Sequence, residues 1–206
     1  MRLLPSLILI VVRCMFHKVT LLLASQSPRR RALLKELGWP VKIICPPEVD
    51  EIFPSHLKQG EIPVYLAQLK SESYPDSIAD DAILVTADTI VWLNNEVIGK
   101  PRDRNDAITM LQKLSGNKHQ VFTGVCLKYK GKNHLLCDET NVYFRKLSQE
   151  EIIYYVDAYK PFDKAGAYGV QEWIGFIGIE RIEGSYFNVM GLPIHRLYET
   201  IKELVK

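Results

Sequence analysis

Apolar and polar residues change period several times along this chain, and each change marks an element. Val19 to Ala24 is a short apolar, β-branched run, and from Pro28 to Leu37 the apolar side chains Ala32, Leu33, Leu34 and Leu37 share one helical face before Gly38. Strand, turn and helix are therefore predicted at the front. The stretch from Cys45 to Gly60, with Pro46, Pro47 and Pro54 among mixed charges, reads as a loop, and Pro63 to Tyr74 as a helix carrying Lys70. Ala82 to Leu93 (AILVTADTIVWL) is almost continuously apolar, the pattern of a central strand covered on both faces. Asn94 and Asn95 turn it into a short returning arm, Glu96 to Gly99, which ends at Lys100 and Pro101.

Asn105 to Leu114 is an amphipathic helix closed by Gly116. Gln120 to Tyr129 and His134 to Arg145 alternate around Lys130, Gly131 and Lys132 and read as a long antiparallel ribbon. Ser148 and Glu151 have the spacing of a capping box for a helix through Tyr159. Gly175 to Ile182 is predicted as a strand, Gly184 to Leu192 as a loop with short extended pieces, and Pro193 to Val205 as a terminal amphipathic helix. One βα unit at the front, long hairpins behind it and scattered helices predict an α/β fold with a mixed sheet, two lobes and a cleft between them. Clefts of that kind bind small ligands.

Composition narrows the chemistry. At 206 residues the chain can bury one substantial core, and 47% apolar with 24% charged residues is ordinary for a soluble globular protein. A net charge of +2 provides no global field for nucleic acid, so an anion site must be built from particular residues. Cys14, Cys45, Cys126 and Cys137 form no C-x-x-C pair, and the five histidines show no zinc-ligand spacing; a metal here would be a hard ion on carboxylates. The apolar run Leu7 to Val12 is too short to span a bilayer, and no small-residue cleavage site follows it. Met15 stands just before the first strand, so residues 1 to 14 read as an upstream extension of one cytoplasmic domain from 15 to 206. A membrane anchor or an additional strand are the other readings of that segment.

Candidate chemistry is concentrated in a few segments. Ser25-Gln26-Ser27-Pro28-Arg29-Arg30 joins strand to helix, with Ser25 or Ser27 able to cap; it is either an anion seat, with free N–H groups and guanidinium forks for phosphate, or a plain cap with solvated arginines. Asp88 lies in the middle of an apolar strand, where an uncompensated carboxylate would cost several kcal/mol. A divalent ion, a lysine, a catalytic water or a structural hydrogen bond could compensate it. Thr89 points to the opposite face of a regular strand, so it would reach the same ligand only at a bulge or strand end. Glu48, Asp50 and Glu51 crowd the proline-rich loop, either as a solvated acidic cluster or as ligands for Mg²⁺ or Mn²⁺ together with phosphate oxygens. Lys70 and Lys100 are cleft ligands or ordinary surface lysines. Asp163 to Gln171 (DKAGAYGVQ) sets small residues around Lys164 and Gln171, either as a polar turn or as a place where backbone approaches a ligand and Gln171 pairs with a base edge. Neither a G-x-x-x-x-G-K-[ST] loop nor a G-x-G-x-x-G after a strand is present.

Read in order, LLLASQSPRR, VDE at Val49 to Glu51, VTADTIV, IGKPRD, LSGNKHQVFTGV, KPFDKAGAYGVQ and GSYFNVMGLP resemble the Maf family from about Val19 to Leu204. The resemblance implies an inosine triphosphate pyrophosphatase-like elongated mixed sheet with two lobes and a central cleft, often dimeric. It also implies hydrolysis of nucleoside triphosphates between the α and β phosphates with a divalent cation; neither stable nucleic acid binding nor a membrane is expected. Carried over by position, Asp88 matches the catalytic carboxylate, Arg29 and Arg30 the phosphate clamp, and Glu51, Lys70 and Lys100 the remaining charged cleft residues. Leu69 stands where the family often has glutamate. Arg29, Thr89 and Gln171 are similar to the branch acting on dTTP and UTP and differ from the branch acting on 7-methyl-GTP. A purine triphosphate pyrophosphatase and a non-catalytic nucleotide-binding regulator of cell division are the rival expectations.

Overall fold

The computed structural model describes residues 19–45, 49–75 and 78–206. The expectations for residues 1 to 14, for Cys14 and for Glu48 lie outside them. Seven strands form one mixed sheet in the order β2 (Val41–Ile44), β1 (Thr20–Ala24), β3 (Ala82–Leu93), β5 (Lys118–Tyr129), β6 (Lys132–Phe144), β7 (Ile179–Glu183), with β4 (Glu96–Ile98) also paired to β3. β1 runs parallel to both β2 and β3. β3, β5, β6 and β7 are antiparallel neighbours. The continuous apolar run of β3 is explained by burial on both faces, and Asp88 is buried within it.

Helices cover this sheet in two lobes. α1 (Pro28–Lys35) and the terminal α7 (Ile194–Leu204) close the first core around Leu21, Leu23, Leu34, Ile83, Leu127 and Ile201. α3 (Arg104–Leu114) and α4 (Gln149–Tyr159) close the second around Val91, Leu111, Phe144, Tyr155 and Ile174. α2 (Glu61–Glu72) lies over β3 and β5 on a smaller cluster of Ile62, Leu66, Ile90, Trp92 and Phe122. The capping box of Ser148 and Glu151 is present at the start of α4.

Two expectations fail in the last third. Trp173–Gly178 is a helix, α5, and only Ile179–Glu183 continues as strand. A short apolar run with flanking glycines does not separate helix from strand by periodicity; here the Phe176 N–H donates to the Glu172 carbonyl at 3.2 Å, a helical turn that buries Ile174 in the second core. The loop after β7 holds a short helix, α6 (Tyr186–Val189), capped by the Ser185 hydroxyl, which accepts from the Asn188 N–H. Asn188 is fully buried and donates to the Val121 carbonyl and the Thr140 hydroxyl, both at 3.0 Å. That long-range anchor has no signature in a local pattern.

One feature of the sheet positions the cleft. β5 accompanies β3 along one edge from Leu84 to Trp92. On the other edge β1 pairs only as far as Val85, and β4 (Glu96–Ile98) takes over only at Val91. Between them, Thr86 to Ile90 has no strand partner on that side among the described residues. The chain leaves β1 here to start α1, so the gap becomes a notch between the lobes.

Candidate active site

The notch opens into a cleft of about 530 Å³ lined by Ser25, Arg29, Arg30, Glu51, Lys70, Asp88, Thr89, Lys100, Lys164 and Gln171. These ten residues, all singled out in the sequence, meet there with Ser27; Asp50 does not line the cleft, and Glu48 lies outside the described residues. Alternation on β3 holds: Asp88 faces α2 and Thr89 the other side. Both reach the cleft because the strand edge is open at mid-length, where a bulge or strand end had been expected to be necessary.

At the start of α1, Ser27 is the cap, its hydroxyl accepting from the Arg30 N–H, while Ser25 is buried two residues earlier and accepts from the Ser27 N–H at 3.2 Å. Arg30 is held on three sides. Nε donates to the Gly191 carbonyl at 2.8 Å, Nη1 to the Ala87 carbonyl and Nη2 to the Thr89 hydroxyl, both at 2.9 Å. Burial lowers its pKa, with Asp88 and Glu51 acting in the opposite direction. A guanidinium carries five N–H donors, so the three used here orient the fork and leave the others for a ligand. Thr89 is further fixed by the Thr123 hydroxyl at 3.0 Å.

Lys70 answers what compensates Asp88. Its ammonium lies 2.6 Å from Asp88 Oδ1 and 2.8 Å from Glu51 Oε1, and Lys100 stands 3.7 Å from Glu51 Oε2. Burial works against ionisation of Glu51, yet Lys70, Lys100 and Arg30 together hold its carboxyl below the ordinary range. Asp50 is exposed. Among the described residues no group of three or more histidine, cysteine or acidic side chains could hold a metal by itself. Glu51 and Asp88 both reach the one Lys70 ammonium, so the two carboxylates converge on a shared cation, and a magnesium-like ion is commonly held by one or two carboxylates with phosphate oxygens and water.

Across the cleft, Asp163 joins the lobes. It accepts from Arg29 Nη1 at 3.2 Å and from Lys164 Nζ at 2.7 Å. Burial opposes its charge, but Lys164 and Arg29 outweigh that and lower its pKa. Gln171 also lines the cleft, and its Oε1 is buried with no hydrogen-bond partner. Apolar contact is offered by Val91, Val121, Val189 and Met190. Sequence reasoning missed Asp163 and, behind it, Glu172; each adjoins a predicted residue, but nothing in the pattern shows which neighbour turns inward.

Tyr168 forms part of the wall, and its hydroxyl meets His119 Nε2 at 2.8 Å beneath the floor. Burial drives the His119 pKa from 6.5 to about 3. In that window the unfolded chain binds a proton that the folded chain refuses. Stability is complete above roughly pH 6.5 and declines on acidification, by up to about 1.4 kcal/mol per pH unit from this residue. Denaturant titrations at pH 7, 6 and 5 should show a steeper decline for the native chain than for His119→Asn; parallel slopes would refute this.

A cleft in an α/β sheet where five cations face three carboxylates is the architecture of a site for a small polyanion. The Maf-like protein family model matches residues 20–204, so the chain belongs to the Maf family. It is 52% identical over 188 residues to a dTTP/UTP pyrophosphatase of Phocaeicola vulgatus, covering 91% of this chain and 97% of that one. A dTTP/UTP pyrophosphatase of Parabacteroides distasonis is 51% identical, with 90% and 96% covered. Among solved structures, a HAM1 protein from Coxiella burnetii aligns with a TM-score of 0.49 at 15% identity over 90% of this chain and 99% of that one.

Proposed function

We propose that this chain is a nucleoside triphosphate pyrophosphatase that hydrolyses dTTP and UTP to the monophosphate and pyrophosphate. The observation that carries the reading is the buried Asp88, set among Lys70, Arg30 and Glu51 on the floor of a cation-rich cleft. The names of the relatives supply the substrate.

In this reading the triphosphate lies along Arg29, Arg30, Lys70 and Lys100, whose charges offset that developing on the phosphoryl oxygens. Asp88 accepts a proton from a water that attacks the α phosphorus. The new P–O bond forms as the bond to the α–β bridging oxygen breaks, and pyrophosphate leaves in line. Glu51 and Asp88 would hold Mg²⁺ or Mn²⁺, which supplies electrostatic stabilisation of the phosphate oxygens when bound. Gln171 turns its unpaired Oε1 to the N–H of a pyrimidine edge, and Thr89 and Arg29 shape the same pocket. We place the enzyme in the cytoplasm, where nucleotide pools turn over, and as a homodimer, which light scattering on the purified chain would check. No described helix is long and apolar enough to cross a membrane.

The test is a panel of dTTP, UTP, CTP, ITP and 7-methyl-GTP incubated with Mg²⁺ or Mn²⁺, with released pyrophosphate measured. Release favouring dTTP and UTP is expected. Preference for ITP or 7-methyl-GTP would replace the substrate assignment, and binding without release from any member would replace the hydrolase by a binding protein.

A further inference from the structure

Lys164 is a lysine with almost no exposure of its own: its side chain is 9% accessible, although it faces the cleft. Asp163 takes its ammonium at 2.7 Å from the cleft side, and Glu172 takes it at 3.2 Å from behind. Glu172 does not line the cleft. Its second oxygen accepts from the hydroxyl of Tyr155, a fully buried residue of the second core. The same hydroxyl accepts from the Gly169 N–H at 3.0 Å. The Glu172 carboxyl also lies flat against Gly169, where a β-carbon would stand 2.7 Å from Glu172 Cδ. Val170 and Gln171 lie between these two.

We infer that Glu172 is a positioning residue that fixes Lys164 and the Gly169–Gln171 backbone together, so that the charged wall of the cleft at Lys164 and the base end at Gln171 are set by one carboxylate. This rests on the nucleotide reading above. The physical reason is a balance of pulls. Asp163 is itself drawn towards Arg29 on the opposite lobe at 3.2 Å, so with Glu172 neutralised Lys164 follows Asp163 towards the cleft mouth. The Tyr155 hydroxyl then loses its charged acceptor, and the Gly169 N–H loses an oriented one. Displacements of about 1 Å in a positioning group cost up to roughly a hundredfold in function.

Glu172→Gln keeps the shape and removes the charge; Tyr155→Phe removes the hydroxyl alone. Equilibrium affinities of α,β-imido-UTP and α,β-imido-CTP with Mg²⁺ would be measured by calorimetry for the native chain and both variants. A merely structural role would lower the melting temperature or the fraction of competent protein, neither of which alters the dissociation constant of the competent fraction. Glu172→Gln is expected to weaken the UTP analogue about tenfold and to narrow its preference over the CTP analogue, with Tyr155→Phe moving both quantities in the same direction by less. Unchanged affinity and unchanged preference in Glu172→Gln would overturn the inference, as would the absence of any preference in the native chain. Should the native chain bind the UTP analogue selectively yet release no pyrophosphate from UTP, the hydrolase reading falls and this one stands.

Discussion

Asp88→Asn should lower pyrophosphate release from dTTP by about a thousandfold while the protein remains folded. The size follows from the role: a positioned general base contributes on the order of 10² to 10⁴, and loss of a carboxylate beside the reacting phosphate also weakens the cation site. The fold should survive because asparagine fills the same volume and Lys70, 2.8 Å from Glu51, keeps one carboxylate partner. Asp88 is only 8% exposed, so water is poorly placed to take over its function. Retention of more than about a tenth of the activity, with a normal melting profile, would remove Asp88 from the chemistry.

The largest expected effect on stability lies on the neighbouring strand. Gly124 is directly opposite Asp88 in the β3–β5 register. A β-carbon there would lie 2.3 Å from the Pro63 carbonyl carbon and oxygen and from the Val64 nitrogen, all backbone atoms of α2. No rotamer relieves such a contact, so Gly124→Ala must lift the helix from the sheet. Overpacking of this severity should cost about 3 kcal/mol, read as a shift in the denaturant midpoint. Because α2 carries Lys70 towards Asp88, KM for the triphosphate should rise in the same variant. A midpoint within about 0.5 kcal/mol of the native value, the range of neutral surface changes, would show that α2 does not sit this closely on β5.

How much of this could be read in advance depended on the range of the determining contact. The β3 run, the capping box at Ser148 and the helix start at Pro28 rest on contacts within a few residues, and they stand where periodicity and cap chemistry put them. The α5 helix and the Asn188 anchor depend on partners tens of residues away, which local periodicity does not register. The site divides in the same way. Asp88 was conspicuous because a carboxylate in an apolar strand demands an explanation, and motif order pointed to its companions. Arg30 was expected as a phosphate clamp, but its three contacts to Ala87, Thr89 and Gly191 come from segments that only tertiary structure brings together. Asp163 and Glu172 were hidden for that reason too.

Among the described residues, leaving five positions of a central strand without a strand neighbour on one side has a consequence beyond nucleotide binding. Exposed main-chain donors and acceptors on a strand edge invite a stray strand from another chain, the usual start of edge-to-edge association. Here the Ala87 carbonyl is already engaged by the Arg30 guanidinium, and a buried positive charge is a poor companion for an incoming apolar strand. The residue that would grip phosphate thus also guards the open edge, so the protein can keep a gap in its own sheet without offering it to its neighbours.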